Sequence, residues 1–166
     1  MSGGRVLQGS CHCGAVRFGV NSHTPVPYQL CYCSICRKTS GGGGYAINLG
    51  ARADTLTIEG AENLGVFRAE IHDEDGACRL STAERNFCTR CGCHLWLFDP
   101  TWPALVHPLA AIIDTPLPEA PERTHMMLDF KPDWVPVLAG PQDRSFARYP
   151  DASLEDWHKA HGLWVD

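Results

Sequence analysis

Cysteine is the residue type whose number and spacing in this sequence point most directly to chemistry. The 166-residue chain has nine cysteines, an odd number that excludes complete pairing in intramolecular disulfides. Eight of them form three short clusters, at 11–13, 31–36 and 88–93, and Cys78 stands alone. Closely spaced thiolates are typical zinc ligands, and in a reducing compartment such clusters indicate metal or redox chemistry.

The residues alone allow the cysteines to be divided between zinc sites in more than one way. A structural zinc takes four protein ligands, whereas a catalytic zinc takes three and keeps one position open. One division gives a closed site and an open site, from Cys11, Cys13, Cys88 and Cys91 and from Cys31, Cys33 and Cys36 respectively. A 31–36 cluster that shares ligands with either other pair also satisfies four-coordination. Purely structural zinc at every site is a further alternative.

Other candidates surround these clusters. Arg37 and Lys38 follow the 31–36 cluster and could bind a substrate carboxylate, with an ordinary solvated pair as the equal alternative. Less favoured ligands are Cys93 in place of Cys91, and the histidines His12 and His94. Cys78 is interpreted as a buried free thiol on a strand. Glu84 and Arg85 are interpreted as a surface pair, and His125 with Lys131 as a less favoured contributor to the pocket.

Composition excludes several function classes. A net charge of -5 argues against a nucleic-acid partner, which would need a basic patch. No uncharged apolar run approaches the ~20 residues of a membrane helix. The first ten residues lack the apolar stretch of a signal peptide, so we expect a cytoplasmic protein. The sequence carries no signal of oligomeric state.

Short β-branched or alternating runs bounded by glycine and proline predict a mostly β fold. The predicted strands are 15–20, 45–49, 56–59, 65–69, 77–83, 94–98 and 105–113. The 41–44 glycine run is interpreted as a turn. Two short helices are predicted, at 34–39 and at 153–161, the second capped by Ser153. Residues 1–135 are expected to form the domain and residues 136–166 a tail that packs on it, anchored by Trp157, Leu163 and Trp164.

Three stretches resemble one family in order, spacing and flanking residues. They are Cys-His-Cys-Gly-Ala-Val-Arg-Phe at 11–18, Cys-Tyr-Cys-Ser-Ile-Cys-Arg-Lys-Thr-Ser-Gly at 31–41 and Phe-Cys-Thr-Arg-Cys-Gly at 87–92. The sequence is similar here to the glutathione-dependent formaldehyde-activating enzymes, also called the centromere protein V/formaldehyde-activating domain family. The likeness extends over roughly 9–135, where His125, Lys131 and Trp134 resemble the family's His…Lys…Trp strand.

The resemblance implies a β-tent fold of stacked antiparallel sheets clamped by zinc. It implies a structural zinc on Cys11, Cys13, Cys88 and Cys91 and a catalytic zinc on Cys31, Cys33 and Cys36, which makes two zinc ions per chain. The implied activity is that of a carbon–sulfur lyase on S-hydroxymethylglutathione, the adduct of glutathione and formaldehyde, or on a similar small thiol adduct.

The sequence departs from the family pattern at Cys93, at Cys78 and in the tail. Two other functions therefore stand beside the lyase. One is a non-catalytic zinc-stapled interaction module, although the chain lacks the basic tail that a chromatin partner would favour. The other is a redox switch that uses Cys36 and Cys93.

Overall fold

The computed structural model describes residues 3–40 and 42–166, so Gly41 of the predicted glycine turn lies outside the described residues. The strands are short, and the two α-helices have seven residues each. In chain order the elements are β1 Arg5–Ser10, β2 Arg17–Ser22, β3 Gln29–Cys31, α1 Ser34–Ser40, β4 Ala46–Ile47, β5 Ala51–Arg52, β6 Thr57–Glu59, β7 Leu64–Phe67, β8 Glu70–His72, β9 Cys78–Leu80, β10 Glu84–Cys88, β11 His94–Phe98, β12 Leu105–Pro108, β13 Thr124–Met126, β14 Arg144–Ser145 and α2 Leu154–Ala160.

The described strands form four sheets, three of which are antiparallel. Their strand orders are β1-β2-β6, β5-β12-β11-β10-β7 and β8-β9. The fourth sheet, β14-β13-β3-β4, is mixed, because β13 runs parallel to both β3 and β14. The prediction of a mostly β fold with several antiparallel sheets and few short helices is confirmed.

Several predicted element bounds need correction. The 105–113 strand ends at Pro108, and residues Ala110–Ile112 form a 3₁₀ turn instead. The 77–83 strand shortens to Cys78–Leu80. Cys78 was expected to be buried, but it is exposed, because β8 and β9 form a separate two-stranded hairpin whose side chains are mostly exposed.

The main core lies between the β1-β2-β6 sheet and the five-stranded sheet. Alternate residues of β1 and β2 point into it, including Leu7 and Phe18, since successive side chains of a strand face opposite ways. From the other side come Leu95, Trp96 and Val106. The rings of Phe18 and Trp96 meet edge to face with their centroids 5.1 Å apart. This core therefore ties the two sheets that carry the 11–13 and 88–93 cysteine segments.

The predicted tail anchors contact the rest of the chain. Trp157 on α2 is buried and stacks on Tyr28, with the ring centroids 3.6 Å apart. Leu163 packs against the same small cluster, and Trp164 stacks on His23. The predicted cap of α2 is also present, because the Ser153 side chain accepts a hydrogen bond from the Asp156 amide.

Gly60 is required by a close approach of two backbone segments. It has a φ of 77°, and a Cβ at this position would lie 1.9 Å from the Ala15 carbonyl oxygen. We expect Gly60→Ala to lower the free energy of unfolding by about 3 kcal/mol, because the backbone must shift as well as adopt a disfavoured conformation. Gly162→Ala is the matched control. Its φ is 66° with no atom within 4 Å of the added Cβ, so about 1 kcal/mol is expected. Urea unfolding of both variants measures the difference, and equal losses would contradict the steric argument.

Candidate metal centres

Four of the predicted zinc ligands meet at one point of the fold. The sulfur atoms of Cys11, Cys13, Cys88 and Cys91 all lie within 4.8 Å of one another. The Cys11 and Cys13 sulfurs are 3.6 Å apart, and those of Cys13 and Cys88 are 3.8 Å apart. Zinc–sulfur bonds of about 2.3 Å in a tetrahedron place the sulfurs about 3.8 Å apart. The donor set and its spacing therefore fit a zinc ion.

Two tight turns bring these cysteines together from the two main sheets. After β1, the Cys11 amide donates to the Val16 carbonyl, and the Val16 amide donates to the Cys11 sulfur at 3.3 Å. After β10, the Gly92 amide donates to the Cys88 carbonyl. Because the two sheets enclose the main core, a metal held by this four-sulfur cluster would join them at one end.

The remaining predicted ligands form a second, three-cysteine cluster. The sulfurs of Cys31, Cys33 and Cys36 lie within 4.8 Å of one another. Cys31 ends β3, and α1 then turns the chain so that the Cys36 amide donates to the Cys33 sulfur at 3.3 Å. Cys31 and Cys36 are buried, whereas Cys33 is half-buried. Three thiolates with one half-exposed member suit a metal that keeps an open position.

The three thiols do not release protons equally. The hydrogen bond from Cys31, followed by that from Cys36, holds the pKa of the Cys33 thiol far below its usual range. The hydrogen bond between Cys31 and Cys33 has the opposite effect on Cys31. Together with the hydrogen bond to Cys36 and with burial, it raises the pKa of the Cys31 thiol. These opposite shifts arise from the hydrogen bonds that the three sulfur atoms make with one another.

Polar groups without partners gather around this second cluster. In the described ranges 3–40 and 42–166, four buried side-chain polar atoms have no hydrogen-bond partner: Arg37 Nε, Asn48 Oδ1, Arg85 Nη1 and His94 Nε2. Each belongs to a residue that lies on α1 or contacts it. Asn48 Nδ2 and Arg85 Nη2 lie 3.9 and 4.0 Å from the Cys36 sulfur, and His94 Nδ1 lies 3.4 Å from Ser40 Oγ. Buried polar groups are normally paired, so these atoms are available to a polar ligand.

Arg85 and Asn48 are site residues that sequence reasoning missed. Arg85 was interpreted as half of a surface pair, but it is buried against Cys36. It lies three residues before Cys88 on β10, and an odd separation along a strand puts two side chains on opposite faces. One strand thus serves both clusters, but no local pattern in the sequence marks Arg85 as part of the second one. Burial, followed by the charge of Arg85, lowers the pKa of His94 to about 4, so this imidazole is neutral at neutral pH.

The two residues of the predicted basic pair lie on α1 but differ in how much of each is exposed. Arg37 is half-buried and Lys38 is exposed, so of these two residues Arg37 alone directs an unpaired nitrogen inward.

Cys93 accepts a hydrogen bond from the His12 amide at 3.4 Å and is not among the four clustered sulfurs, which include Cys91. His12 and His94 also lie outside that set.

His125 and Lys131 take different positions from those expected. The strand β13 ends at Met126, so the predicted His…Lys…Trp strand is wrong beyond that point. Lys131 donates to the Pro132 and Val135 carbonyls, and Trp134 is exposed. His125 is buried, with Nδ1 2.9 Å from the hydroxyl of Tyr32 and Nε2 3.4 Å from an Asp143 carboxylate oxygen. Tyr32 lies between Cys31 and Cys33 in the sequence. Its hydrogen bond with His125 therefore helps to position this part of the second cluster.

A cavity of about 630 Å³ lies next to the second cluster. Asn48 and Met126 form part of its wall, and both also contact the cluster cysteines. Trp102, Trp164 and residues 149–155 form another part of the wall. Among the described residues, those that line the cavity include no cysteine. Among the described residues, no helix is both long and apolar enough to cross a membrane.

Comparisons with known proteins show the family of this chain. Residues 6–128 match the family model described as "Glutathione-dependent formaldehyde-activating enzyme". A curated protein of Halomonas elongata, named "Putative glutathione-dependent formaldehyde-activating enzyme", is 58% identical over 158 residues, which cover 95% of this chain and 98% of that protein. A crystal structure of a Rhodobacter sphaeroides protein is 30% identical with a TM-score of 0.50, and covers 67% of this chain and 91% of its own. The chain belongs to the glutathione-dependent formaldehyde-activating enzyme family.

Proposed function

We propose that the protein is a zinc-dependent carbon–sulfur lyase that acts on S-hydroxymethylglutathione or a similar small thiol adduct. The observation that carries the proposal is the second cluster, in which three cysteine sulfurs meet and the side chains of Asn48 and Arg85, each with an unpaired buried polar atom, approach Cys36. Three cysteine ligands leave one position of a tetrahedral ion open, and the unpaired arginine and asparagine groups near Cys36 favour a polar substrate there. The family membership supports glutathione and formaldehyde as the reactants.

The proposal assigns one zinc ion to each cluster, so two ions are bound per chain. Cys11, Cys13, Cys88 and Cys91 would hold the structural ion, and Cys31, Cys33 and Cys36 the catalytic ion. When bound at the open site, zinc supplies a Lewis acid and stabilises a substrate thiolate. In the lyase direction the carbon–sulfur bond of the adduct breaks, its electron pair stays on sulfur, and the hydroxyl group loses a proton to become the carbonyl of formaldehyde.

The side chains around the cluster have separate roles in this proposal. The half-buried guanidinium of Arg37 binds a glutathione carboxylate, with Lys38 adding charge from the exposed side of α1. Arg85, whose Nη2 lies 4.0 Å from the Cys36 sulfur, offsets the negative charge of the three thiolates. Asn48 offers an amide oxygen without a partner to the hydroxyl of the adduct.

We further propose that residues 1–135 form the catalytic domain and that residues 136–166 brace it. Tail residue Asp143 supports this, because it contacts the buried His125 behind the second cluster. All nine cysteines are free, and thiols in such numbers favour a reducing compartment such as the cytoplasm.

Exchange spectroscopy tests the activity. The interconversion of formaldehyde plus glutathione with their adduct is followed at equilibrium by NMR, with and without zinc-loaded protein. We expect acceleration by the protein, and its complete loss in Cys33→Ser. Ser34→Ala is the matched control, because Ser34 directly follows Cys33, is exposed and belongs to neither cluster. No acceleration by fully loaded protein with any carboxylate-bearing thiol would reject the lyase and favour the zinc-stapled interaction module.

A further inference from the structure

A third group of metal-binding side chains lies on the β8–β9 hairpin. Glu70 and His72 belong to β8, and Cys78 belongs to β9. One carboxylate oxygen, one ring nitrogen and one sulfur from these residues lie within 4.8 Å of one another. None of the three residues is in either cysteine cluster, and the family resemblance gives Cys78 no role.

The register of the hairpin creates this group. His72 pairs directly with Cys78 across the two antiparallel strands, and Glu70 pairs with Leu80. Directly opposite residues project from the same face, and so do residues two apart along one strand. All three side chains therefore share one face, and a shift of the register by one residue would separate them.

The three side chains are exposed and have no competing partner. Within the described parts of the chain, none of Glu70, His72 and Cys78 makes a side-chain hydrogen bond or ion pair. The nearby arginine, Arg79, is directed to Asp73 at 3.7 Å. Residues 70–80 contain four acidic residues and one arginine, so the local field attracts a cation.

We propose that Glu70, His72 and Cys78 form a third metal site that binds a divalent transition-metal ion such as zinc. The combination of sulfur, imidazole and carboxylate donors favours zinc, cobalt or nickel over calcium and magnesium, which prefer oxygen ligands. Binding displaces the proton of the Cys78 thiol. Three exposed protein ligands leave at least one position to water, so this ion exchanges more readily than ions held in the two cysteine clusters.

Cobalt is a suitable probe, because a cobalt–thiolate bond gives a charge-transfer band in the near ultraviolet. Protein is first loaded with zinc, dialysed against a weak chelator until two zinc ions per chain remain, and then titrated with Co²⁺, while zinc release is measured in parallel. We expect one equivalent of Co²⁺ to bind with a thiolate band and without zinc release. Cys78→Ser should abolish the band, and His72→Ala and Glu70→Gln should each weaken Co²⁺ binding about tenfold or more.

Glu74→Gln is the matched control, because Glu74 is an exposed acidic residue in the same hairpin turn and is not among the three ligands. It should bind one equivalent with an unchanged band. All four substitutions are at exposed positions, and circular dichroism melts check that each variant folds. A band that persists in Cys78→Ser, zinc release that accompanies Co²⁺ uptake, or equal weakening in Glu74→Gln would overturn the third site. The lyase assay does not bear on this result, because neither cysteine cluster is altered.

Discussion

Cys11→Ser is expected to destabilise the whole fold, whereas Cys33→Ser leaves it intact. The Cys11 sulfur lies in the four-sulfur cluster, receives the Val16 amide and packs in the main core. Metal bound by such a cluster contributes directly to folding, and structural zinc in small domains binds with roughly 10–16 kcal/mol. Loss of one of the four ligands should lower the free energy of unfolding by about 4 kcal/mol.

Cys33→Ser is the matched substitution in the second cluster. Cys33 is half-buried and lies outside the main core, so we expect a folded protein that has lost one equivalent of metal. Thermal melts followed by circular dichroism, together with zinc content measured on protein purified without chelator, separate the two outcomes. If both variants unfold to the same extent, the two clusters do not have separate structural and catalytic roles.

Arg85→Met is expected to change metal binding and intrinsic stability in opposite directions. Arg85 is buried, its Nη1 has no partner among the described residues, and its Nη2 faces the Cys36 sulfur. A buried cation without a carboxylate partner costs free energy, which methionine of similar volume would remove. A cation beside three thiolates favours their charged, metal-binding form.

We therefore expect Arg85→Met that is stripped of metal at the second cluster alone to melt at an equal or higher temperature than the parent stripped in the same way. Its second zinc should be about 10–100 times easier to remove in chelator competition at fixed pH. Arg85→Lys keeps the charge and should restore much of the affinity. A stripped variant that melts well below the parent would assign Arg85 a packing role instead, as would zinc retention that does not change.

The cysteine spacing allowed the grouping that meets in the fold as one of several divisions, and the family resemblance implied it. Cysteines at tight turns carry their own local geometry, and the two main sheets then bring Cys11 and Cys88 together across 77 residues of sequence. Arg85 could not be recognised in this way. Its neighbour Cys36 is on a separate helix, so its burial depends on long-range packing and not on any local pattern.

Short strands also limited what could be predicted. β3 and β13 have three residues each, too few to show an alternating pattern. Their parallel pairing gave no local signal, so the mixed sheet was missed. The exposure of Cys78 was missed for a related reason, because a β-type sequence does not reveal whether another layer covers the strand.

The parallel pairing of β3 with β13 has a consequence for the order in which the newly made chain can become ordered. Residues Gln29–Cys31 pair with Thr124–Met126, which are synthesised 95 residues later. The four-sulfur cluster, by contrast, is complete once residue 91 has been made. Because chains generally fold from the N-terminus during synthesis, the two main sheets can close while Cys31 still lacks β13, one of the two strands that flank it. A ribosome-bound chain that stops before residue 124 should therefore contain the first cluster and leave the thiols of the second one open to alkylation.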